Sequence, residues 1–177
     1  MSLAIEYLNI QGSANLKLFR HTDIRGDFTP IFRDEDFLNQ DFDFTGIKNV
    51  YLSNNNKKGT LRGFHRQKGS AAESKLITCL NGKAIHILLR IQDKRIYLAE
   101  NYLSYKTSNA TFVPRDCYSA FLTLEPYTQL LYLTDNNYIP SKGEGIRWDD
   151  PLLNAIKWPI KPTCFSKQDL DFPNIKL

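Results

Sequence analysis

Asn81-Gly82 stands between two runs of strand-forming residues, 75–80 and 84–91, and narrows the folds open to this chain more than any other feature. Both residues tolerate the positive φ of a type I′ turn, so the spacing predicts a two-residue hairpin, with Lys75 and His86 on strands joined by one tight turn. Further β-branched, aromatic and aliphatic runs predict strands over 110–113, 118–124 and 129–134. Turn-forming clusters separate these runs, and helix is expected only in short pieces around 34–37 and 166–170. Short strands with frequent turns make an all-β barrel or jelly roll, rather than alternating β and α units.

The period of two assigns side chains to faces. Ile85, Ile87, Leu89 and Ile91 form a wholly apolar set and read as packing core. Ala84, His86, Leu88 and Arg90 form a mixed set, the better lining for a lumen that holds a polar ligand. Tyr132 alternates with Leu131 and Leu133, and Ser119 shares its face with Cys117 and Phe121.

At 177 residues, with no linker, repeat or low-complexity tract, the chain is expected to form one domain over 1–177 with N- and C-terminal extensions. No apolar run approaches the roughly 20 residues that span a bilayer. Met1-Ser2-Leu3 lacks the pattern of a secretory leader, so a cytoplasmic protein that engages no membrane is expected. Cys79, Cys117 and Cys164 are odd in number and far apart, which predicts reduced, mostly buried thiols. The net charge of +4 is spread along the chain. That dispersion argues against nucleic acid as a partner and suits a small anionic ligand.

The densest polar segment is Gly59-Thr-Leu-Arg-Gly-Phe-His-Arg-Gln67, which sets Arg62, His65 and Gln67 close together in a strand-like stretch. Taken alone, His65 reads as readily as a hydrogen-bonded structural histidine as a general base. The wider pattern decides. Leu61-Arg-Gly-Phe-His65, Lys75-Leu76, Leu131-Tyr132, Gly145-Ile-Arg-Trp-Asp-Asp-Pro151, Trp158-Pro159 and Phe165-Ser-Lys-Gln-Asp169 follow one another in an order and spacing that resemble the dTDP-4-dehydrorhamnose 3,5-epimerase family. The resemblance runs from about Asp23 to Pro173. It implies a cupin-type jelly-roll barrel, a homodimer, a nucleotide-diphosphate 4-keto-6-deoxy sugar as substrate, and neither metal nor organic cofactor.

The resemblance also implies roles. His65 would take the proton beside the keto group, Asp169 would orient the imidazole, Lys75 would offset charge on the enolate oxygen, and Tyr132 would return a proton to the opposite face. Arg62 and Arg25 would hold diphosphate oxygens, while Asn54, Gln67 and Tyr138 match positions that line the family's pocket. Bland readings exist for each: Lys75 as a solvated strand-end lysine, Tyr132 as a core aromatic, Asp169 as a turn acid. The segment 145–151 reads as structural, tying down a loop.

Departures from the family are as informative. Ser119 stands where the family has a second histidine, and His86 where it has an aspartate. Serine does not titrate near neutral pH, so a relay through that position is altered. His86 reads either as an ordinary core histidine or as a replacement for the lost imidazole, in which case His86 and Ser119 contact substrate as a rearranged pair that restricts which carbon reacts. Pro30 and Leu52 replace a glutamate and a glutamine, which leaves the nucleotide carrier open. Two other readings accompany the epimerase: a keto-sugar isomerase sharing the same base, and a non-catalytic sugar-nucleotide-binding cupin. A metal-dependent cupin would need converging ligands, and only His21, His65 and His86 are present.

Overall fold

The computed structural model describes residues 3–37 and 40–177, so Met1 and Ser2, part of the N-terminal reading above, lie outside the described residues. The chain runs through β1 (Ala4–Tyr7), β2 (Ala14–Lys17), a small hairpin of β3 (His21–Asp23) and β4 (Gly26–Phe28), then β5 (Asn49–Asn55) and β6 (Leu61–Gln67). It continues with β7 (Lys75–Asn81), β8 (Lys83–Gln92), β9 (Arg95–Ser104), β10 (Asn109–Val113), β11 (Tyr118–Thr123), β12 (Thr128–Thr134) and β13 (Gly143–Gly145). A short helix, α1 (Lys167–Asp171), lies near the C-terminus, and 3₁₀ turns include Asp34–Asp36. The expected strands and both short helical pieces are present.

Two antiparallel sheets form a jelly roll. One has the order β1-β2-β10-β7-β12-β5 and the other β13-β6-β11-β8-β9. The turn at Asn81-Gly82 is where the expectation fails. β7 pairs with β10 and β12, while β8 pairs with β11 and β9, so the two strands belong to different sheets and the turn is a corner. Gly82 has φ +78°, and a Cβ there would sit 2.5 Å from the Thr128 hydroxyl oxygen, so the glycine is needed for close approach as well as for its backbone angle. The true hairpin after β8 turns at Asp93 and Lys94, both at positive φ, with Gln92 opposite Arg95. Two non-glycine residues in those positions hid it from the sequence.

The corner explains the two faces of β8. Ala84 and Leu88 face the other sheet and pack with Ile77, Cys79, Phe121 and Leu130 between the layers. Ile85, Ile87 and Leu89 are buried as expected, but outside the sandwich, where residues 146–165, among them Trp148 and Trp158, cover the sheet. The far face of the six-stranded sheet is covered in turn by Phe37, Phe42 and Phe44, with Phe42 and Phe112 rings 4.4 Å apart. The outer surfaces are thus covered except along β5, where Val50 and Leu52 are exposed, and the space between the sheets is apolar on one side and open as a cleft on the other.

Candidate active site

The cleft comprises adjoining cavities of about 470 and 240 Å³ that share Tyr51, His65, Lys75, Tyr132 and Tyr138. His65 enters from β6, and Gly63 decides how closely that strand approaches its neighbour. A Cβ on Gly63 would lie 2.5 Å from Ala120 Cα and 2.6 Å from the Ser119 carbonyl oxygen, at a φ of +125°. Only glycine lets β6 lie against β11, with His65 opposite Ser119 in the register.

The His65 Nε2 is 2.7 Å from Asp169 Oδ1, and the edge of Phe172 flanks the ring at 5.3 Å between centroids. Asp169 is buried at the first turn of α1, where Ser166 and Asp169 cap each other reciprocally and the Gly63 N–H also donates to the carboxylate. Burial pushes the Asp169 carboxyl up, but hydrogen bonds from His65, Ser166 and Gly63 outweigh it and hold the carboxyl below its usual range. An ionised Asp169 accepts the Nε2 proton, which assigns the tautomer with a free lone pair on Nδ1. That arrangement is competent for a general base.

The C-terminal segment that delivers Asp169 is fastened by residues 145–151, as their structural reading predicts. Phe64 and Ile146 exchange backbone hydrogen bonds, Arg147 donates to the Leu170 carbonyl, Asp150 accepts from the Ile175 N–H, and Trp148 stacks on Phe165 at 5.1 Å.

Lys75 begins β7 and sends its ammonium into the same cleft, 3.1 Å from Glu73 Oε1. Tyr132 enters from β12, opposite Tyr51 of β5, and its hydroxyl makes no hydrogen bond among the described residues. Burial raises the phenol far above its ordinary value, with Arg62 partly offsetting the shift, so the hydroxyl keeps its proton and can donate it. Arg62 lines the larger cavity and donates to Asn55 Oδ1 at 3.0 Å.

His86 and Ser119 line the larger cavity together, with Phe121. Ser119 pairs with Leu88 and Phe121 with His86, which places His86 and Ser119 diagonally on one face of adjacent strands. No hydrogen bond joins them. His86 is 1% exposed and its Nδ1 is buried without a partner. Burial and the nearby Lys75 charge lower its pKa to about 3, so the ring is neutral.

Other expected residues lie differently. Gln67 borders the smaller cavity, but its amide is spent on the Asn137 carbonyl and the Ile139 N–H, anchoring the loop that carries the exposed Tyr138. Asn54 is exposed and accepts from Gln129, outside either cavity lining. Arg25 projects from the β3–β4 hairpin with 86% of its side chain exposed and pairs with Asp23, away from the cleft. Leu52 lines the larger cavity, and Pro30 lies in a separate surface depression beside Phe19 and His21.

The sequence reading missed Tyr51, Glu73 and Phe172. Glu73 left a signal, since an acid two residues before Lys75 on extended backbone shares its face. Phe172 left none, because its contact with His65 depends on the path of the C-terminal segment. Among the described residues no three His, Cys, Asp or Glu side chains converge in a way that could hold a metal ion, and no helix is long and apolar enough to cross a membrane.

Comparison with known proteins matches this architecture. A sequence model described as dTDP-4-dehydrorhamnose 3,5-epimerase matches residues 7–176. A dTDP-4-dehydrorhamnose 3,5-epimerase of Sinorhizobium fredii is 28% identical over 176 residues, 96% of this chain and 89% of the relative. A dTDP-4-dehydro-6-deoxyglucose 3-epimerase of Streptomyces bikiniensis is 27% identical over 176 residues, 95% of this chain and 87% of the relative. The crystal structure of dTDP-4-dehydrorhamnose 3,5-epimerase from Bacillus anthracis, with TDP and PPi bound, superposes with a TM-score of 0.89 at 24% identity, covering 97% of this chain and 100% of that one.

Proposed function

This chain belongs to the dTDP-4-dehydrorhamnose 3,5-epimerase family, and we propose that it epimerises a deoxythymidine-diphosphate-linked 4-keto-6-deoxy sugar at a carbon beside the keto group. The observation that carries this is the opposition of a carboxylate-held imidazole, His65 with Asp169, to a protonated phenol, Tyr132, across a cleft that also holds the Lys75 ammonium. A C–H beside a ketone is acidic only as far as the enolate is stabilised. His65 Nδ1 takes the proton, Lys75 faces the enolate oxygen, and Tyr132 returns a proton from the other side, so that the centre inverts. Arg62, at the mouth of the larger cavity, holds the diphosphate by charge-assisted hydrogen bonds.

The single domain works as a cytoplasmic homodimer in this reading. Support for the dimer comes from β5, which ends its sheet with Val50 and Leu52 exposed, and from the exposed Ile24 and Phe28 of the β3–β4 hairpin. Arg25 would meet diphosphate only in the cleft of a second copy.

Among outcomes at the sugar, inversion at one carbon is favoured by His86 and Ser119, which put a neutral imidazole and a hydroxyl on the cavity wall. Incubating the protein with dTDP-4-dehydro-6-deoxyglucose in deuterated water and following each ring proton by NMR tests the reading. Loss of the C3 or C5 signal with formation of the inverted sugar is expected. A product with the carbonyl moved to another carbon would make the protein a keto-sugar isomerase, and tight binding with no exchange would make it a binding protein.

A further inference from the structure

The ammonium on which the proposed reaction depends has a partner that no expectation assigned. Lys75 Nζ lies 3.1 Å from Glu73 Oε1, with side chains 12% and 7% exposed, and the structure gives neither head group another hydrogen bond or ion pair among the described residues. The residue between them is fastened on both sides. Ser74 donates its N–H to Asp135 Oδ1 at 2.8 Å and its hydroxyl to the Asp43 carbonyl at 2.6 Å, and Arg115 in turn clamps Asp135 and Asp43. Glu73 is therefore held in place at the edge of the cleft, with its carboxylate against the ammonium.

In the smaller cavity the other acid, Glu144, is engaged by Arg66, Lys68 and Tyr118. The polar side chains that share the larger cavity with Lys75 are Arg62 and His65 from β6, His86 from β8, Ser119 from β11, Tyr51 and Ser53 from β5, Tyr132 from β12 and Tyr138. None of these is an anion. The position that the resemblance fills with an aspartate is His86, a neutral ring whose Nδ1 has no partner. A buried ammonium without a counter-ion is strongly disfavoured, and two carboxylates against one ammonium drive one of them to take up a proton. Glu73 is thus the one carboxylate set against Lys75 among the described residues.

We propose that Glu73 is a positioning residue that holds the Lys75 ammonium in the cleft, supplying from the segment that leads into β7 the counter-charge that position 86 on the facing sheet, a histidine, does not. This inference rests on the epimerase reading. Its consequence for specificity is that His86, relieved of any ion pair, presents an uncommitted ring nitrogen to the sugar, where an aspartate would present a charge engaged with Lys75.

Four proteins test it: wild type, Glu73→Gln, His86→Asp and the double variant, each assayed for ring-proton exchange with dTDP-4-dehydro-6-deoxyglucose and for thermal unfolding midpoint at pH 7. Glu73→Gln should lower kcat by about 10²-fold through misplacement of Lys75, with KM changed less than about three-fold. His86→Asp alone should lower both kcat and the midpoint, because two carboxylates then compete. In the double variant the new aspartate takes over the lysine, and both quantities should recover well beyond the sum of the single effects. Additive losses in the double variant, or a Glu73→Gln protein with unchanged kcat, would overturn the proposal. Should wild type itself show no exchange, the epimerase reading falls. The midpoints then decide this inference alone, recovery in the double variant upholding it and additivity refuting it.

Discussion

Two histidines face the same cleft from neighbouring parts of one sheet, and almost everything that determines what an imidazole does differs between them. His65 leaves 42% of its side chain exposed and has Nε2 tied to a buried carboxylate, so its free nitrogen is a base in reach of a ligand. His86 is 1% exposed, has no ion-pair partner among the described residues and lies near Lys75, so its ring is held neutral and uncommitted. A half-exposed ring held by a carboxylate is a proton acceptor, whereas a ring buried beside a cation is a neutral hydrogen-bonding wall.

The largest expected effect separates the two rings directly. His65→Asn should reduce ring-proton exchange by roughly 10²–10⁴-fold, the range for a positioned general base, while His86→Gln should cost less than about ten-fold. Stopped exchange measured in deuterated water checks both, and equal losses would break the comparison.

Asp169→Asn keeps an oxygen near Nε2 but removes the charge that stabilises the imidazolium. It also sets an amide against the Ser166 N–H, which donates to Asp169 Oδ2. The expected result is about 10²-fold lower kcat with little change in KM. The helix cap should weaken by about 1 kcal/mol, read in thermal unfolding. A proportionate rise in KM would make Asp169 a binding group.

The third effect appears in stability. His86 titrates at about 3 in the folded chain against 6.5 as its ordinary value, so between these pH values the unfolded chain binds a proton that the folded one refuses. Stability from this group is complete above pH 6.5 and is lost as pH falls toward 3. Asp169 also has a lowered pKa, but its contribution is present above 3.8 and is lost only below it. Wild type should therefore lose on the order of 2 kcal/mol more than His86→Gln between pH 6.5 and 4.5. Parallel acid-dependence curves for the two proteins would show that His86 does not stay neutral.

How much of this was readable beforehand follows the range of the interactions. Alternation put His86 on the mixed face of residues 84–91 and set Tyr132 apart from Leu131 and Leu133, because a period of two is local, whereas His65 and Lys75 were singled out by the order of the motifs. The dipeptide Asn81-Gly82 misled for the opposite reason. It encodes a sharp change of direction, and whether that makes a hairpin or a corner depends on what each strand pairs with: β10 and β12 on one side, β9 and β11 on the other. The pairing of Glu73 with Lys75 was within reach of the same alternation, whereas Phe172 against His65 depends on the whole C-terminal wrap. Arg25 sits on a hairpin that lines neither cavity of the active-site cleft.

The smallest effect concerns Ser119, which the sequence paired with His86 because an imidazole is lost at one position and gained at the other, and which the structure sets opposite His65 and diagonal to His86. Its hydroxyl makes no hydrogen bond among the described residues, and His86 Nδ1 is likewise unpartnered. Because no protein group depends on that hydroxyl among the described residues, Ser119→Ala leaves no partner stranded and should change stability by less than about 0.5 kcal/mol. Activity should fall by no more than about ten-fold if the hydroxyl only borders the sugar, since a single neutral hydrogen bond contributes roughly 0.5–1.5 kcal/mol at most. Coupling to His86 is the sharper readout. In a cycle of Ser119→Ala, His86→Gln and the double variant, additive changes in exchange rate mean that the two side chains meet different parts of the substrate, whereas a second ring proton that begins to exchange only in the double variant would mean that together they restrict the reaction to one carbon. Comparable wild-type exchange at C3 and C5 removes that restriction from the outset and leaves the neutral wall of His86 as a binding surface alone.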